Sequence, residues 1–187
     1  MADRHFVLLG RTGVGKSSFV NLTLGVKLAP ISHYESCTKV VKHYSKTSKW
    51  GSVCLIDTPG LAEGGESLDH EYLRLIKQDK DLPEKFHILY FSPLIETRFR
   101  PEEKLSLRRV YQWFPASFDS IWLILTFAAS VENRRRQEAC DKRIQDIRNY
   151  IGTFAVGFCG FDRVGLVDNV NSSWTDDGIS ADQFLQK

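Results

Sequence analysis

Residues 5–18 of the chain read HFVLLGRTGVGKSS. Residues 6–9 form a continuous apolar run, which is typical of a buried parallel strand. Residues 10–17 follow the pattern G-x-x-x-x-G-K-[ST], and residues 18–22 have the composition of a helix start. The pattern needs a strand before it and a helix after it, and both are present. We therefore predict a phosphate-binding loop between a strand and a helix.

The residue types in this loop suit a bound triphosphate. Backbone N–H groups at the start of a helix converge on a phosphate, and the helix macrodipole favours the anion there. Lys16 adds a cation near the β- and γ-phosphate oxygens, and the Ser17 hydroxyl can ligate Mg²⁺. The expected nucleotide-binding residues of the loop are Arg11, Thr12, Gly13, Val14, Gly15, Lys16, Ser17 and Ser18.

A second motif, Asp57-Thr58-Pro59-Gly60, follows the apolar residues 51–56. An Asp at the carboxyl end of a strand beside a phosphate loop can hold Mg²⁺ through water, and Gly60 leaves its backbone N–H open to a γ-phosphate. By itself this tetrapeptide is an ordinary turn. Because it comes about forty residues after the phosphate loop, we predict that Asp57 is a metal ligand and that Gly60 contacts the nucleotide.

The bulk composition restricts the other possibilities. The chain has 187 residues, 42% apolar content and a net charge of +2, which fits one main domain and gives no general attraction to nucleic acid. Its four cysteines are scattered, which disfavours a metal site or a disulfide scaffold and fits a reduced, cytoplasmic compartment. We expect no signal peptide and no membrane-spanning segment, so any membrane association would depend on regions absent from this chain.

Apolar runs alternate with helical patterns along the chain, which predicts a three-layer α/β/α sandwich with a mainly parallel sheet. The expected strands are residues 6–9, a strand around Val40, and residues 51–56, 86–91, 121–127 and 153–158. The expected helices are residues 16–24 and 67–78, one that starts at Pro101 and one that is opened by the exposed arginines 134–136. We expect residues 1–160 to form the nucleotide-binding domain and residues 161–187 to form a C-terminal extension.

Four segments together resemble a known family. GRTGVGKSS, the Ser-Cys-Thr that ends at Thr38, CLIDTPGL and IETRFRPEEK are similar to the septin-related GTPases that include the GIMAP proteins and the Toc receptors. The resemblance implies a P-loop G domain that binds GTP or GDP with Mg²⁺ and forms a homodimer across its nucleotide face. It also implies that Thr38 closes on Mg²⁺ and the γ-phosphate, as a metal ligand and catalytic residue. Arg98, or alternatively Arg100, matches an arginine that reaches the partner's nucleotide in some members.

The sequence departs from common GTPase patterns at two places. Leu61 stands where Ras-like enzymes have a glutamine that orients water, so we expect slow hydrolysis unless another group or a partner positions the water. The motif [NT]-K-x-D, whose Asp pairs with guanine, is replaced by Thr126-Phe127-Ala128-Ala129. Thr126 and Phe127 remain candidates for contact with the base, and residues 158–160 are candidates for backbone contacts. Guanine preference therefore follows from the resemblance alone.

Three functions are compatible with these observations. The first is slow GTP hydrolysis, in which Lys16 and Mg²⁺ neutralise developing charge and Arg98 acts within a dimer. The second is a module that binds GTP without hydrolysis and uses it to assemble. The third is a small-molecule kinase that uses the same phosphate loop, since the loop alone does not identify the phosphate acceptor.

Overall fold

The computed structural model describes residues 4–31, 39–48, 51–62, 65–168, 173–174 and 185. The strands are β1 (Arg4–Leu9), β2 (Lys42–Ser48), β3 (Gly51–Asp57), β4 (His87–Pro93), β5 (Ile121–Thr126), β6 (Arg163–Asp168) and β7 (Ser173–Trp174). The helices are α1 (Lys16–Leu24), α2 (Glu66–Lys77), α3 (Pro101–Trp113) and α4 (Asn133–Ile151), with 3₁₀ turns at Pro115–Ser120 and Ala128–Ser130. None of the helices in these ranges has both the length and the apolar character to cross a membrane.

The strands form one sheet in the order β2-β3-β1-β4-β5-β6-β7. The five central strands, β3 to β6 in this order, are parallel, and the two outer strands pair antiparallel to their neighbours. Every residue of β5 is buried, as expected for a parallel strand that is covered on both faces. The mostly parallel sheet predicted from the sequence is therefore confirmed.

Two hydrophobic cores lie on opposite faces of this sheet. One core contains Phe19 and Val20 of α1, together with Leu185 from the C-terminal region. The other core contains apolar residues from α2, α3 and α4, including Leu73, Leu107 and Ile147. Helices cover both faces, so the three-layer arrangement expected from the alternation of strands and helices is confirmed.

Glycine explains why the bounds of α1 match the predicted residues 16–24. Gly15, immediately before the helix, has φ +95°, and Gly25, immediately after it, has φ +75°. Both values lie in the left-handed region that glycine adopts at little cost, so the helix is delimited at each end by local backbone preference.

The predicted last strand at residues 153–158 is wrong. These residues form turns directly after α4, and Gly157 has φ +89°, which interrupts an extended conformation. Phe154 and Phe158 instead pack around Phe118 on the α3–α4 side of the sheet. The last parallel strand is β6, which lies within residues 161–187, the stretch expected to form a C-terminal extension. The domain boundary expected after residue 160 stays a prediction, although β6 is hydrogen-bonded into the central sheet.

Three smaller expectations also need correction. Val40 lies outside β2 and is exposed, because the strand begins only at Lys42. Helix α2 spans Glu66–Lys77, one residue earlier at each end than the predicted range 67–78, and Gly65 before it provides no side-chain cap. Arg136, expected to be simply solvated, donates hydrogen bonds to the carbonyl oxygens of Ala128 and Val131. It therefore fastens the start of α4 to the turn that follows β5.

A buried ion pair joins two of the helices that share a core. Arg143 of α4 donates to Glu103 Oε2 of α3 at 3.1 Å, and both side chains are almost completely buried. The Ser92 hydroxyl donates to the other carboxylate oxygen of Glu103. Burial raises the pKa of Glu103, while Ser92 and Arg143 act in the opposite direction. Without its cation this carboxylate would be an uncompensated buried charge.

We expect Arg143→Met to lower the free energy of unfolding by about 3–5 kcal/mol at pH 7.5, because ionised Glu103 loses its partner. The substitution raises the pKa of Glu103 in the folded state further. The folded carboxyl then takes up a proton as the pH falls through that pKa, so the loss is smaller at pH 5 than at pH 7.5. Urea denaturation at both pH values measures this difference. Lys142→Met, an exposed neighbour, is the control. An equal loss at both pH values would contradict the expectation.

Candidate functional site

The candidate site lies along one edge of the sheet, where the parallel strands end. β1 leads into the phosphate loop, β3 ends at Asp57, β5 ends at Thr126 and β6 ends at Asp168. Since these strands are parallel, their carboxyl ends lie at the same edge. Open α/β sheets bind ligands at this edge. The topology thus brings together the two motifs that the sequence singled out.

Lys16 lies inside the phosphate loop. Its ammonium group donates to the carbonyl oxygens of Gly10 at 3.2 Å and Arg11 at 3.0 Å, and the residue is only 6% exposed. The loop therefore closes around a cation at the N-terminus of α1, where the helix adds a partial positive charge. This combination favours an anion such as a phosphate group.

Ser17 and Asp57, the two predicted metal ligands within the described residues, are in contact. The Ser17 hydroxyl donates to Asp57 Oδ2 at 2.7 Å, and Asp57 is completely buried. The pKa of Tyr44 is raised, first by burial and then by the negative charge of Asp57. A hydroxyl and a carboxylate side by side are oxygen donors of the kind that Mg²⁺ prefers. The third predicted ligand, Thr38, lies outside the described residues.

Gly60 packs directly on the phosphate loop. A Cβ atom at this position would lie 2.5 Å from the backbone N and Cα of Thr12, and closer still to its Oγ1. The next residue, Leu61, donates its N–H to the carbonyl oxygen of Gly10 at 3.0 Å. The turn that follows β3 therefore touches the loop that follows β1, and only glycine fits at the point of contact. The Leu61 side chain is fully buried.

A buried carboxylate holds the segment that follows this contact. Ala62 has φ +66°, a conformation that costs an alanine free energy. Its N–H donates to both carboxylate oxygens of Asp69, at 2.8 and 3.0 Å. Asp69 is completely buried and forms an ion pair with Arg109 of α3. These contacts keep the backbone next to Gly60 in its strained conformation.

The sequence contains a signal for this carboxylate that was not used. Asp69, Leu73 and Ile76 follow one another at helical spacing, and all three are buried on the same side of α2. A charged residue in such a buried stripe requires a partner. Asp69 also lies in the first turn of α2, where an acidic residue is favourable for the helix dipole alone, so its position does not by itself reveal the buried ion pair.

The ends of β5 and β6 form the other part of the edge. Thr126 is completely buried, and its carbonyl oxygen accepts a hydrogen bond from the Leu94 N–H at 2.8 Å. Phe127, half-buried, has φ +59°; it and Ala62 are the two non-glycine residues with positive φ among those described. Strained residues of this kind are concentrated at functional sites.

The residues expected at the end of the last strand need correction. Because β6 is the last parallel strand, the chain reaches the ligand edge at Asp168 and not at residues 158–160. Asp168 is 1% exposed. A buried carboxylate therefore stands at this edge, although residues 126–129 contain none.

The loop that carries Arg98 is tied to the phosphate loop. Arg98 itself is exposed, but its neighbour Glu96 forms ion pairs with Arg11 at 2.7 Å and with Arg100 at 3.0 Å. Arg143 donates to the carbonyl oxygens of Glu96 and Arg98. The Arg11 side chain thus bridges two loops. Sequence reasoning missed this bridge because its two ends are 85 residues apart.

The remaining expected residues of the loop occupy positions that suit backbone contacts. The Val14 side chain is buried in the core beside α1, so only its main chain is available to a ligand. A Cβ atom on Gly13 would meet no other atom within 4 Å, so this part of the loop is open. Ser18 lies in the first turn of α1.

The chain matches a family model described as 50S ribosome-binding GTPase over residues 5–106. This range covers more than half of the chain and includes the phosphate loop, Asp57 and Gly60. The chain belongs to this GTPase family. The match ends at residue 106, in the middle of α3.

Related sequences agree with this assignment. GTP-binding protein A of Dictyostelium discoideum is 35% identical over 131 residues, which cover 68% of this chain and 28% of that protein. Translocase of chloroplast 34 of Arabidopsis thaliana is 39% identical over 72 residues, which cover 38% of this chain and 23% of that protein. The chain thus spans about a quarter of the length of these relatives.

Solved structures share the fold. Toc33 from Arabidopsis thaliana in complex with GDP and Mg²⁺ has a TM-score of 0.77 at 21% identity, with 100% of this chain and 82% of Toc33 covered. A second structure has a TM-score of 0.74 at 21% identity, with 100% of this chain and 84% of that chain covered. It is described under the statement that dimerization is important for the GTPase activity of the chloroplast translocon components atToc33 and psToc159. At this identity the similarity concerns the fold alone.

We expect Gly60→Ala to lower the free energy of unfolding by about 1–3 kcal/mol, because the added methyl group collides with the Thr12 backbone. Gly152→Ala is the matched control, since Gly152 has ordinary helical φ and a Cβ there would meet carbonyl oxygens at 3.5 Å. Thermal and urea denaturation of both variants measure the difference. Equal stability of the two variants would show that the turn after β3 does not rest on the phosphate loop.

Proposed function

We propose that this chain is a guanine-nucleotide switch that binds GTP and GDP with Mg²⁺ and hydrolyses GTP slowly. The observation that carries the proposal is the contact between Ser17 and Asp57 beside the buried ammonium of Lys16. In a member of a GTPase family, this arrangement supplies two oxygen ligands for Mg²⁺ and a cation for the phosphate oxygens. Toc33, which has the same fold, is known in complex with GDP and Mg²⁺.

Each proposed residue has a distinct role. The backbone N–H groups of residues 11–18 surround the phosphates, and Lys16 neutralises charge that develops on the β- and γ-oxygens. Ser17, Asp57 and Thr38 would hold Mg²⁺, which would neutralise negative charge on the phosphates. Gly60 presents its N–H to the γ-phosphate. Because Gly60 also touches Thr12, binding of a γ-phosphate would affect the conformation of the turn after β3.

We expect Lys16→Ala to weaken GTP binding at least a hundredfold, because the phosphates lose their buried cation. Asp57→Asn should remove most of the Mg²⁺ dependence of binding. Titration calorimetry with GTP, GDP and ATP, each with Mg²⁺ and with chelator, measures these effects. Lys27→Ala, an exposed lysine after α1, is the control and should bind as the unchanged protein does. Binding that is unaffected by Lys16→Ala would exclude the proposed site.

For the base, we propose contacts from the ends of β5 and β6. Thr126 and Phe127 border this region, and the strained backbone of Phe127 is a second reason to place a ligand there. Residues 126–129 lack the usual carboxylate for guanine, so preference for guanine must come from other groups on this edge. The comparison of GTP with ATP in the titrations tests this preference directly.

We further propose that the chain belongs to the septin-related group of GTPases and forms a homodimer across its nucleotide face. For Toc33, dimerization is described as important for GTPase activity. In this chain Arg98 is exposed on a loop that Glu96 and Arg11 fasten to the phosphate loop. An exposed arginine on a loop that is tied to the phosphate loop in this way can reach the nucleotide of a second copy. There its charge would stabilise the transition state.

We expect the GTP hydrolysis rate per molecule to rise with protein concentration, and Arg98→Ala to abolish this rise with a loss of about tenfold or more in rate at high concentration. Arg108→Ala is the control, because Arg108 is an exposed arginine on α3 outside this loop. Single-turnover hydrolysis over a range of concentrations, together with sedimentation with GDP and with a non-hydrolysable GTP analogue, measures both effects. A rate that does not depend on concentration would contradict action across a dimer.

One observation favours a second function, a GTP-binding module that assembles without hydrolysis. Leu61 replaces the glutamine that orients water in Ras-like enzymes, and its side chain is completely buried. It therefore offers no polar group to an attacking water. If bound GTP stays uncleaved after long incubation with Mg²⁺ while the dimer forms, this second function is correct; multiple turnover excludes it.

A further inference from the structure

Three polar side chains lie in a row at the β2 edge of the sheet, on the face covered by α2. Cys54 of β3 places its Sγ 3.8 Å from Nδ1 of His43 on β2, within hydrogen-bonding distance for sulfur. His43 Nε2 lies 2.6 Å from Oδ2 of Asp79, just after the C-terminus of α2. The nucleotide-binding proposal makes no use of these residues.

The hydrogen bonds fix the direction of proton transfer. An ionised carboxylate only accepts hydrogen bonds, so His43 Nε2 carries a proton and donates a hydrogen bond to Asp79. His43 Nδ1 is then the acceptor for the thiol proton of Cys54. Asp79 is itself held in place, because its Oδ1 accepts the N–H of Asp81 at 3.0 Å. This is the order of groups, a nucleophile, a base and a group that orients the base, that activates a thiol.

The surrounding charges favour transfer of the proton from Cys54 to His43. The imidazolium that forms lies beside Asp79 and near the C-terminal end of α2, and both are negative. His5 on β1 stands in register with Cys54 on the same face of the sheet. The basic residues in the last turn of α2, Arg74 and Lys77, are exposed.

We propose that Cys54 is an activated thiol and a site of covalent modification by small disulfides. The Cys54 thiolate attacks one sulfur of the disulfide, and a new S–S bond forms as the old one breaks. The other half leaves as a thiolate, which takes the proton held by His43. Cys54 is 8% exposed and the His43 side chain 26% exposed, so a small reagent approaches along the edge strand β2.

The chain contains its own controls for this proposal. Cys159 is exposed, and the contact recorded for its thiol is a hydrogen bond to the Gly157 carbonyl oxygen. Cys140 is buried, and burial raises the pKa of its thiol. Comparing rates at two pH values for each thiol separates activation from access, because access alone does not change the ratio of the two rates. Cys37 is replaced by serine in all proteins used.

The experiment measures alkylation by iodoacetamide at pH 8.0 and pH 6.5, with each cysteine peptide quantified by mass spectrometry. An ordinary thiol loses about twentyfold in rate between these values, since its pKa is near 8.5; the exposed Cys159 provides the measured reference ratio. For Cys54 we expect a loss of less than about threefold, because the thiolate persists as an ion pair. The same ratio for Cys54 as for Cys159, or labelling of Cys54 no faster than of Cys140, would overturn the proposal.

Two variants and a second reagent complete the test. In His43→Gln the pH dependence of Cys54 should become that of Cys159, and in Asp79→Asn it should move part of the way. Circular dichroism verifies that each variant is folded. If neither variant folds, the pH dependence of Cys54 alkylation in the unchanged protein decides the test. With cystamine at pH 6.5, the mixed disulfide should form on Cys54 before Cys159. An adduct on Cys159 alone would also overturn the proposal.

Discussion

The hydrogen bond between Ser17 and Asp57 is the contact around which the candidate site is built. It joins the first residues of α1 to the end of β3, and it exists because β1 and β3 are adjacent and parallel in the sheet. A completely buried carboxylate is stable only with a polar or charged partner. The pair therefore constrains the packing of α1 against the sheet, and it leaves two oxygen donors together where a divalent cation suits them.

Other carboxylates extend this principle to the surrounding loops. Asp69 fixes the strained backbone at Ala62, next to the point where Gly60 rests on Thr12. Glu96 joins Arg11 of the phosphate loop to the segment that carries Arg98. Each of these segments is thus held by a charged contact to a more rigid element. Such contacts are directional, so a loop held in this way has a defined position. A ligand that competes for one of these charged groups can move the loop from that position.

The sequence predicted the parts of this structure that are encoded locally. The phosphate loop and the turn after β3 are continuous motifs, and glycines mark both ends of α1, so their positions were correct. Residues 153–158 were mistaken for a strand because a short apolar run with aromatic residues has no periodicity that separates a strand from packed turns. The contacts Asp69–Arg109 and Arg11–Glu96 join residues 40 and 85 positions apart, and no local pattern records such pairs.

The distinction between features encoded by local motifs and features that depend on distant parts of the chain also separates the two ends of the candidate site. At the proposed phosphate end, the candidate ligand groups are backbone amides, one lysine, one hydroxyl and one carboxylate, all specified by two short motifs. At the proposed base end, the edge is formed by β5 and β6, and its buried carboxylate, Asp168, comes from a strand that was not anticipated. Phe127 has a left-handed backbone conformation at this end. Ala129 stands where the usual motif has the Asp that pairs with guanine, so it provides no negative charge for the base. In the proposed site, affinity for phosphates and choice of base would therefore be encoded by separate parts of the chain, and a change in one need not disturb the other.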